Sequence, residues 1–336
     1  MVDFSLWKSF VYNHPNGNIF QTPEMYEVYI KTKNYEPILV TIGDKNNLYG
    51  LILGVIQKEK YFGNFTSRSI ITGGPLVKDN DPVVLNDLLI KYNAAIKKKA
   101  IYSQIRNIFD TSLQKEVFLR NGYVYDDHLD IIHDLTKSEE EQWMKISRDK
   151  KKCIKNANKN LLVKNITHES KKIDEIYYLL KKVYKRVKLP LPDISFFTNA
   201  IEILQREKNI NIFAAYLSEQ LIGVRIVLCY KNLIYDWYAG SDNKYLTYRP
   251  NDILPWEVMK WGSQNGYEIF DFGGAGKPKV HYGVRDYKLK FGGNLVNYGR
   301  FEYVNKPILM FFGKTVIKLK DGVLKFSKWF KKKFFW

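Results

Sequence analysis

The spacing of apolar residues predicts alternating helices and strands through the first half of the chain. A helix is predicted to begin at Thr22-Pro23-Glu24, because threonine suits the N-cap and proline suits the first helical position. The elements predicted after it are strands near 36–41, 48–57 and 66–72, a helix near 82–99, a strand at 101–108, a short helix near 111–120 and a strand at 122–134.

The second half of the chain shows the same order of elements. It opens with a helix near 170–188, in which Ile173, Ile176, Leu180 and Val183 recur every three or four residues. The elements predicted after it are strands at 210–217, 221–229 and 232–238, a helix near 251–265, and strands at 267–272 and 294–303. The repeated order predicts an α/β (α+β) fold with mixed, mostly antiparallel sheets flanked by helices.

These patterns divide the chain into a first domain at 1–145, a second domain at 146–305 and a C-terminal tail at 306–336. The joint between the domains is the run from Lys145 to Lys159, which holds seven cations and one acid and is predicted to be a helix. Two interpretations stay open for this run. It is either a solvated linker helix or a surface that faces phosphate or tRNA.

The tail at 306–336 combines an apolar stripe at helical spacing with nine lysines and one acid, Asp321. Trp329 and Trp336 add the aromatic character found at lipid headgroups. We predict a basic amphipathic helix that lies on the anionic cytoplasmic surface of the membrane. The alternative is a core helix packed on the second domain.

Composition supports a folded protein with an anionic partner. Hydrophobic residues make up 45% of the chain and aromatic residues 15%, which excludes a mainly disordered protein. The net charge of +18 predicts a phosphosugar, a nucleic acid or anionic lipid as partner. A genome rich in AT would account for part of the lysine excess.

Cysteine and histidine usage predicts neither disulfides nor a metal site. Cys153 and Cys229 form no framework, and the five histidines do not pair at metal-ligand spacing. Reduced cysteines are consistent with a cytoplasmic protein. We expect no signal peptide, because Asp3, Lys8 and His14 interrupt any apolar stretch, and no run of 18 apolar residues that would span a membrane.

The segment from Gly283 to Glu302 carries the most candidate chemistry. Its cations are Arg285, Lys288, Lys290 and Arg300, and they stand among aromatic residues and glycines. Such cations can hold phosphate or carboxylate, and glycines let backbone approach a ligand closely. The alternative is a basic loop that leads into a strand with a solvated face.

Six stretches of the chain together resemble the Fem family of peptidoglycan-bridge aminoacyltransferases and related GNAT-like (FemAB-type) acyltransferases. They are 72–75, 121–135, 147–159, 235–252, 256–276 and 283–302, and the resemblance covers roughly residues 20 to 303. The resemblance implies two tandem GNAT-like domains. It also implies transfer of an aminoacyl or acyl group to an amine of a phosphorylated, sugar-linked acceptor, such as a UDP- or lipid-linked cell-wall precursor. The donor would be aminoacyl-tRNA or acyl-CoA, with no bound cofactor.

The resemblance assigns a role to Lys288. In the family, a lysine that follows an aromatic residue near the C-terminal Gly-Gly helps to bind the acceptor's phosphates and the transition state. Lys288 follows Tyr287, where Fem proteins usually have phenylalanine. Arg285 lies close by, and its planar guanidinium suits a diphosphate, or alternatively a salt bridge with Asp286.

Two further stretches supply candidate residues. Asp271 ends a strand beside Gly273 and Gly274, where a carboxylate can accept a proton or can satisfy backbone donors in the turn. Residues just past the strand at 232–238 are polar or amphipathic and are candidates to line the site: Asp236, Tyr238, Tyr245, Tyr248 and Arg249. Substrate binding is predicted at Tyr238, Tyr248, Arg249, Arg285 and Tyr287, together with the two glycines.

Several catalytic motifs are absent from the sequence. No GxSxG, GxGxxG or GxxxxGK[ST] occurs. Gly273 to Lys277 resembles a phosphate loop, but Lys277-Pro278-Lys279 is a poor helix start, which argues against the pyrophosphate site of acetyl-CoA enzymes. Two alternatives to the Fem-type enzyme stay open. One is an acetyl-CoA-dependent N-acyltransferase of surface polysaccharide biosynthesis, and the other is a non-catalytic basic module that binds RNA or membrane.

Overall fold

The computed structural model describes residues 2–59 and 63–311, which form two mixed sheets flanked by helices. The helices are α1 (Phe4–Asn13), α2 (Pro23–Lys31), α3 (Pro82–Ile96), α4 (Lys115–Arg120), α5 (Glu139–Lys145), α6 (Arg148–Asn158), α7 (Ile173–Val187), α8 (Ile194–Leu204), α9 (Pro250–Gln264) and α10 (Gly283–Leu289). The strands are β1 (Tyr35–Gly43), β2 (Leu48–Glu59), β3 (Gly63–Thr72), β4 (Leu76–Val77), β5 (Tyr102–Arg106), β6 (Val124–Asp126), β7 (Leu129–Asp134), β8 (Leu161–Asn165), β9 (Ile210–Leu217), β10 (Gln220–Tyr230), β11 (Leu233–Ser241), β12 (Ile269–Gly276), β13 (Asn294–Asn297) and β14 (Arg300–Val304).

Each sheet has seven strands and is mostly antiparallel. The first has the order β1-β2-β3-β5-β14-β6, with β4 beside β2, and the second has the order β13-β7-β12-β11-β10-β9-β8. The pairs β3–β5 and β11–β12 are parallel. The predicted α/β fold with two tandem units, mixed sheets and flanking helices is therefore confirmed.

The chain crosses between the sheets at two places where the sequence predicts a single continuous strand. The predicted strand at 122–134 divides into β6 in the first sheet and β7 in the second, and that at 294–303 divides into β13 and β14. Gly299 permits the second crossing, because its φ is +68° and a Cβ there would lie 2.3 Å from the Tyr125 ring. The sheets therefore do not follow the predicted division at residue 145.

The structure also contains helices and strands that were not predicted. Helix α8 and strand β8 were not predicted, and the residues of α10 form a helix where a loop that leads into a strand was expected. The basic run at the joint is a helix as predicted, α6, and it is preceded by α5. The predicted amphipathic helix falls mainly on residues 312–336, which lie outside the described part of the chain.

The two sheets share a continuous hydrophobic core. α1, α2 and β2 from the first half contribute to the same buried cluster as α7, α8 and β10 from the second. Aromatic contacts cross this boundary: the Tyr29 and Phe196 rings stack with centroids 6.4 Å apart, and Phe20 meets Tyr235 edge to face at 5.1 Å. This packing fixes the inner face of β11 relative to the first sheet.

Within residues 2–59 and 63–311, no helix combines the length and the apolar character that are needed to cross a lipid bilayer.

Candidate functional site

A cavity of about 360 Å³ opens where β11 and β12 separate. These parallel strands pair only from Leu233–Ile269 to Tyr235–Asp271, and past that point residues of α10 line the cavity together with both strands. The residues that line the cavity come from α7, β10, β11, β12 and α10, and they are Tyr184, Arg225, Tyr235, Asp236, Trp237, Ala239, Phe272, Gly273, Gly274, Val284, Tyr287 and Lys288. Ends of parallel strands are common places for ligand sites.

Lys288 projects from α10 into the gap between the strands. Its Nζ donates to the carbonyl oxygens of Phe272, Gly273 and Gly274 at 2.5, 3.1 and 3.0 Å. Burial lowers the pKa of Lys288, and the charge of Asp236 opposes that shift. The ammonium group therefore holds the end of β12 in place and sets a positive charge in the cavity wall.

An ion pair between Arg225 and Asp236 forms the opposite wall. Arg225 Nη1 donates to Asp236 Oδ2 at 2.6 Å, and the two side chains are only 5% and 11% exposed. A β-bulge prepares this contact, because Ile226 pairs with Tyr238 but Val227 pairs with Asp236, which leaves Trp237 as the extra residue. Arg225 was missed in the sequence analysis, although a single arginine in the apolar run 221–229 was a usable signal.

Two buried carboxyl groups, Asp271 of β12 and Asp130 of β7, lie behind the glycine pair. Asp271 is fully buried; its Oδ1 accepts a hydrogen bond from the Gly273 N–H at 2.7 Å, while its Oδ2 has no partner among the described residues. Burial raises the pKa of Asp271 to about 7. Burial, and then the charge of Asp271, raises the pKa of Asp130 to about 8. Both carboxyl groups can therefore exchange protons near neutrality.

These raised pKa values predict a pH-dependent stability. In the unfolded chain, both carboxyl groups lose their protons near the ordinary pKa of 3.8, whereas in the folded protein they keep them to higher pH. The free energy of unfolding is therefore expected to fall as the pH rises from about 4 to 8. We expect Asp130→Asn to lose less free energy of unfolding than the wild type between pH 5 and pH 8. Urea unfolding at both pH values measures this. An equal loss in both proteins would contradict the assignment, and Asp127→Asn, at an exposed position nearby, is the control.

Tyr287 separates the first cavity from a second, of about 330 Å³. Its hydroxyl donates to the Asn251 carbonyl oxygen, and its ring lies 4.2 Å from Lys150 Nζ, which also forms a buried ion pair with Asp252. The residues that line the second cavity are Asp149, Lys150, Cys153, Leu246, Arg249, Asn251, Asp252, Tyr287 and Lys290. Two exposed cations, Arg249 and Lys290, therefore face this cavity.

The structure brings some of the predicted residues together and not others. Lys288, Tyr287, Gly273 and Gly274 line the first cavity, whereas Asp271, two residues before Gly273 on β12, is fully buried and does not line it. Arg249 lines the second cavity instead; it stands just before α9 with a φ of +66°, and its guanidinium has no partner among the described residues.

Three predicted contacts take other roles. Arg285 donates to the carbonyl oxygens of Lys277 and Val280 at 2.8 and 2.7 Å, so its guanidinium holds a loop, and Asp286 lies nearest to His281 instead. The Tyr238 ring packs against Phe197 with centroids 4.8 Å apart and lies outside both cavities.

Tyr248 is exposed, lies near Tyr245 and lines neither the first nor the second cavity. The glycine-rich segment ends β12 and is separated from α10 by residues 277–282, which agrees with the prediction that it makes a poor helix start. Among residues 2–59 and 63–311, no group of three or more His, Cys, Asp or Glu side chains could hold a metal ion.

The paired sheets and the cavity between diverging strands define a tandem GNAT-like α/β protein. A family model described as an acetyltransferase (GNAT) domain matches residues 146–289. A solved structure, the crystal structure of FemX, has a TM-score of 0.71 at 17% identity over 93% of this chain and 98% of that one. That likeness shows the fold.

Two similar curated proteins are named lipid II:glycine glycyltransferase. The one from Staphylococcus epidermidis is 32% identical over 103 residues, and the one from Staphylococcus aureus is 30% identical over 105 residues. The matches cover 29% and 30% of this chain, and they span a quarter of the length of each relative. The resemblance to the Fem family and to GNAT-like acyltransferases is therefore confirmed.

Proposed function

We propose that this protein is an acyltransferase of Fem type, which moves an aminoacyl group to an amine of a phosphorylated, sugar-linked peptidoglycan precursor. The observation that carries the proposal is the position of Lys288. The lysine that the family motif singles out reaches the wall of a cavity between diverging strands, opposite a buried Arg225–Asp236 ion pair. Relatives named for glycyl transfer to lipid II support the acceptor class.

The cavity offers what acyl transfer to an amine requires. The amine nitrogen attacks the donor carbonyl carbon, a C–N bond forms, and the C–O bond of a tRNA ester or the C–S bond of a thioester breaks. The carbonyl oxygen becomes an oxyanion, which the Lys288 ammonium can stabilise by exchanging one of its three carbonyl contacts. The amine loses one proton, and the leaving oxygen or sulfur gains one.

The buried carboxyl pair is suited to receive the amine proton. General base catalysis is most effective when the pKa of the base is close to the working pH, and burial brings the pKa of Asp271 and Asp130 to that range. In the described part of the chain Asp271 Oδ2 has no hydrogen-bond partner, and Asp271 lies on β12 two residues before the glycines that line the cavity. We propose that a chain of water connects this oxygen to the amine.

The second cavity fits the phosphate-bearing end of the acceptor. Arg249 and Lys290 provide exposed positive charge, and only the Tyr287 side chain, which lines both cavities, needs to stand between this cavity and the one beside Lys288. A guanidinium can hold a phosphate through two parallel hydrogen bonds. Arg249 is held in a left-handed backbone conformation that costs a non-glycine residue free energy, which is consistent with a functional position.

We expect Arg249→Gly to weaken binding of a UDP-linked muropeptide about tenfold, because one charge-assisted contact is worth roughly 1.5–3 kcal/mol. Glycine tolerates a φ of +66°, so the free energy of unfolding should stay the same or rise. Isothermal titration measures the affinity and urea unfolding the stability. Unchanged affinity would remove Arg249 from the site. The control for loss of charge is Arg206→Gly, at an exposed position just after a helix.

Product masses test the proposed reaction. The protein is incubated with a UDP-linked muropeptide and either glycyl-tRNA or acetyl-CoA. We expect an acceptor that is heavier by one aminoacyl group with the tRNA donor. Acetylation from acetyl-CoA would instead support the polysaccharide-type N-acyltransferase, and no product with either donor would contradict the transferase proposal.

Location at the inner face of the plasma membrane is a further part of the proposal. The net charge of +18, and the nine lysines of residues 306–336, favour an anionic lipid surface. Co-sedimentation with vesicles that contain anionic lipid tests this, with a 1–305 truncation as the comparison. Equal sedimentation of both proteins would show that the tail does not bind lipid.

A further inference from the structure

Two arginines stand directly opposite each other on the inner face of the first sheet. Arg300 of β14 pairs with Arg106 of β5 in the antiparallel register. Their neighbours Phe301 and Ile105 are fully buried in the core on the other face of the sheet. Because side chains alternate between faces along a strand, Arg106 and Arg300 both point toward the second sheet.

Within residues 2–59 and 63–311, no carboxylate forms an ion pair with either arginine. Like charges directly opposite each other across a strand pair destabilise a sheet. Among the described residues, the Arg300 guanidinium has no hydrogen-bond partner, and the Arg106 guanidinium donates only from Nε to Gln104 Oε1 at 2.9 Å. Burial, and then the charge of Arg106, lowers the pKa of Arg300 to about 10. The charges of Asp130 and Asp126 oppose that shift in the pKa of Arg300, but in the described part of the chain neither carboxylate lies within ion-pair distance of Arg106 or Arg300.

The arginine pair lies on the far side of the glycines from Lys288. A Cβ built on Gly274 would lie 3.8 Å from Arg300 Nη2, and one built on Gly273 would lie 3.8 Å from Lys288 Nζ. Tyr235 also lines the first cavity, and its hydroxyl lies 3.9 Å from that same Gly273 position. The two cationic places therefore lie on either side of the Gly273–Gly274 backbone, and the Asp130 carboxyl group is close to both.

We propose that Arg106 and Arg300 form an oxyanion-binding subsite that holds a carboxylate or phosphate next to the Lys288 cavity. Two facing guanidinium groups present several N–H donors, and an anion between them would replace repulsion with bidentate hydrogen bonds. If the anion belongs to the acceptor, it is a group distant from the reacting amine, and this assignment rests on the proposed function. The existence of the subsite does not.

Direct binding tests the subsite without any reaction. Two probes distinguish the source of the anion: inorganic phosphate, and N-acetylglycylglycine with its amide as the uncharged counterpart. Binding is followed by NMR titration of the full-length wild type and of Arg106→Gln and Arg300→Gln. Arg120→Gln is the matched control, because Arg120 is exposed at the end of α4, which packs on the opposite face of the sheet.

We expect at least one anionic probe to bind the wild type and Arg120→Gln equally, and to bind each of the two subsite variants at least tenfold more weakly. Removing one of two repelling charges should preserve folding, and Arg300→Lys, which keeps the charge but loses the fork, should give intermediate affinity. Binding that is equal in all variants, or absent from the wild type, would overturn the subsite. Probe binding without transfer activity would retain the subsite and reject the proposed function.

Discussion

Replacing Lys288 with methionine is expected to lower kcat/KM for transfer by at least about tenfold. The variant keeps most of the side-chain volume but removes the ammonium that would stabilise the oxyanion, and one such charge-assisted contact is worth roughly 1.5–3 kcal/mol. It also leaves the carbonyl oxygens of Phe272, Gly273 and Gly274 without their shared donor. Steady-state kinetics with the acceptor below its KM measures the effect.

The control for this experiment is Lys279→Ala, which removes the same charge from an exposed loop position outside both cavities. It is expected to retain wild-type kcat/KM. Circular dichroism and urea unfolding of the methionine variant establish that any loss of activity occurs in folded protein. Wild-type turnover in folded Lys288→Met would remove this lysine from the reaction.

Asp236→Ala is expected to lower the free energy of unfolding by about 3–5 kcal/mol, because it leaves the Arg225 guanidinium buried without its counter-charge. The same change should abolish transfer, since the two residues form one wall of the cavity beside Lys288. Urea unfolding measures the stability, and an unchanged m-value would show that the shift in midpoint reports the free energy of unfolding alone.

The exposed pair Glu202–Arg206 provides the comparison for this prediction. Its side chains are 55% and 60% exposed, so Glu202→Ala should cost no more than about 0.5 kcal/mol. Replacing Arg225 and Asp236 together by Met and Leu should recover much of the stability while activity stays lost. A loss below about 1 kcal/mol in Asp236→Ala would show that solvent in the cavity already screens the pair.

Periodic sequence patterns predicted most of the fold. The amphipathic pattern of Ile176, Leu180 and Val183 identified α7, and the apolar run 221–229 identified β10. The exchange of strands between the sheets was not predictable, because alternation tells which face is buried but not which sheet a strand joins. The crossing at Gly299 depends on a backbone angle that two adjacent apolar runs do not reveal.

The candidate site was predicted in part. Lys288 was found because an aromatic-lysine pair near Gly-Gly is a local motif, and it lies beside the cavity. The Arg225–Asp236 pair depends on the β-bulge at Trp237, and the pairing of Arg106 with Arg300 depends on residues 194 positions apart that meet only through the register of β5 and β14. Such contacts come from tertiary structure and leave no local signal.

In the proposed reaction, the cavity beside Lys288 receives the acceptor's reacting amine. Photo-crosslinking tests it most directly, with a UDP-linked muropeptide that carries a diazirine in place of that amine and with mass spectrometry to map the attachment. We predict crosslinks to residues 235–239, 272–274 and 284–288 that unlabelled muropeptide suppresses. Crosslinks confined to the lysine-rich α6, or crosslinks that any polyanion suppresses equally, would contradict the claim and favour a protein that binds through charge alone.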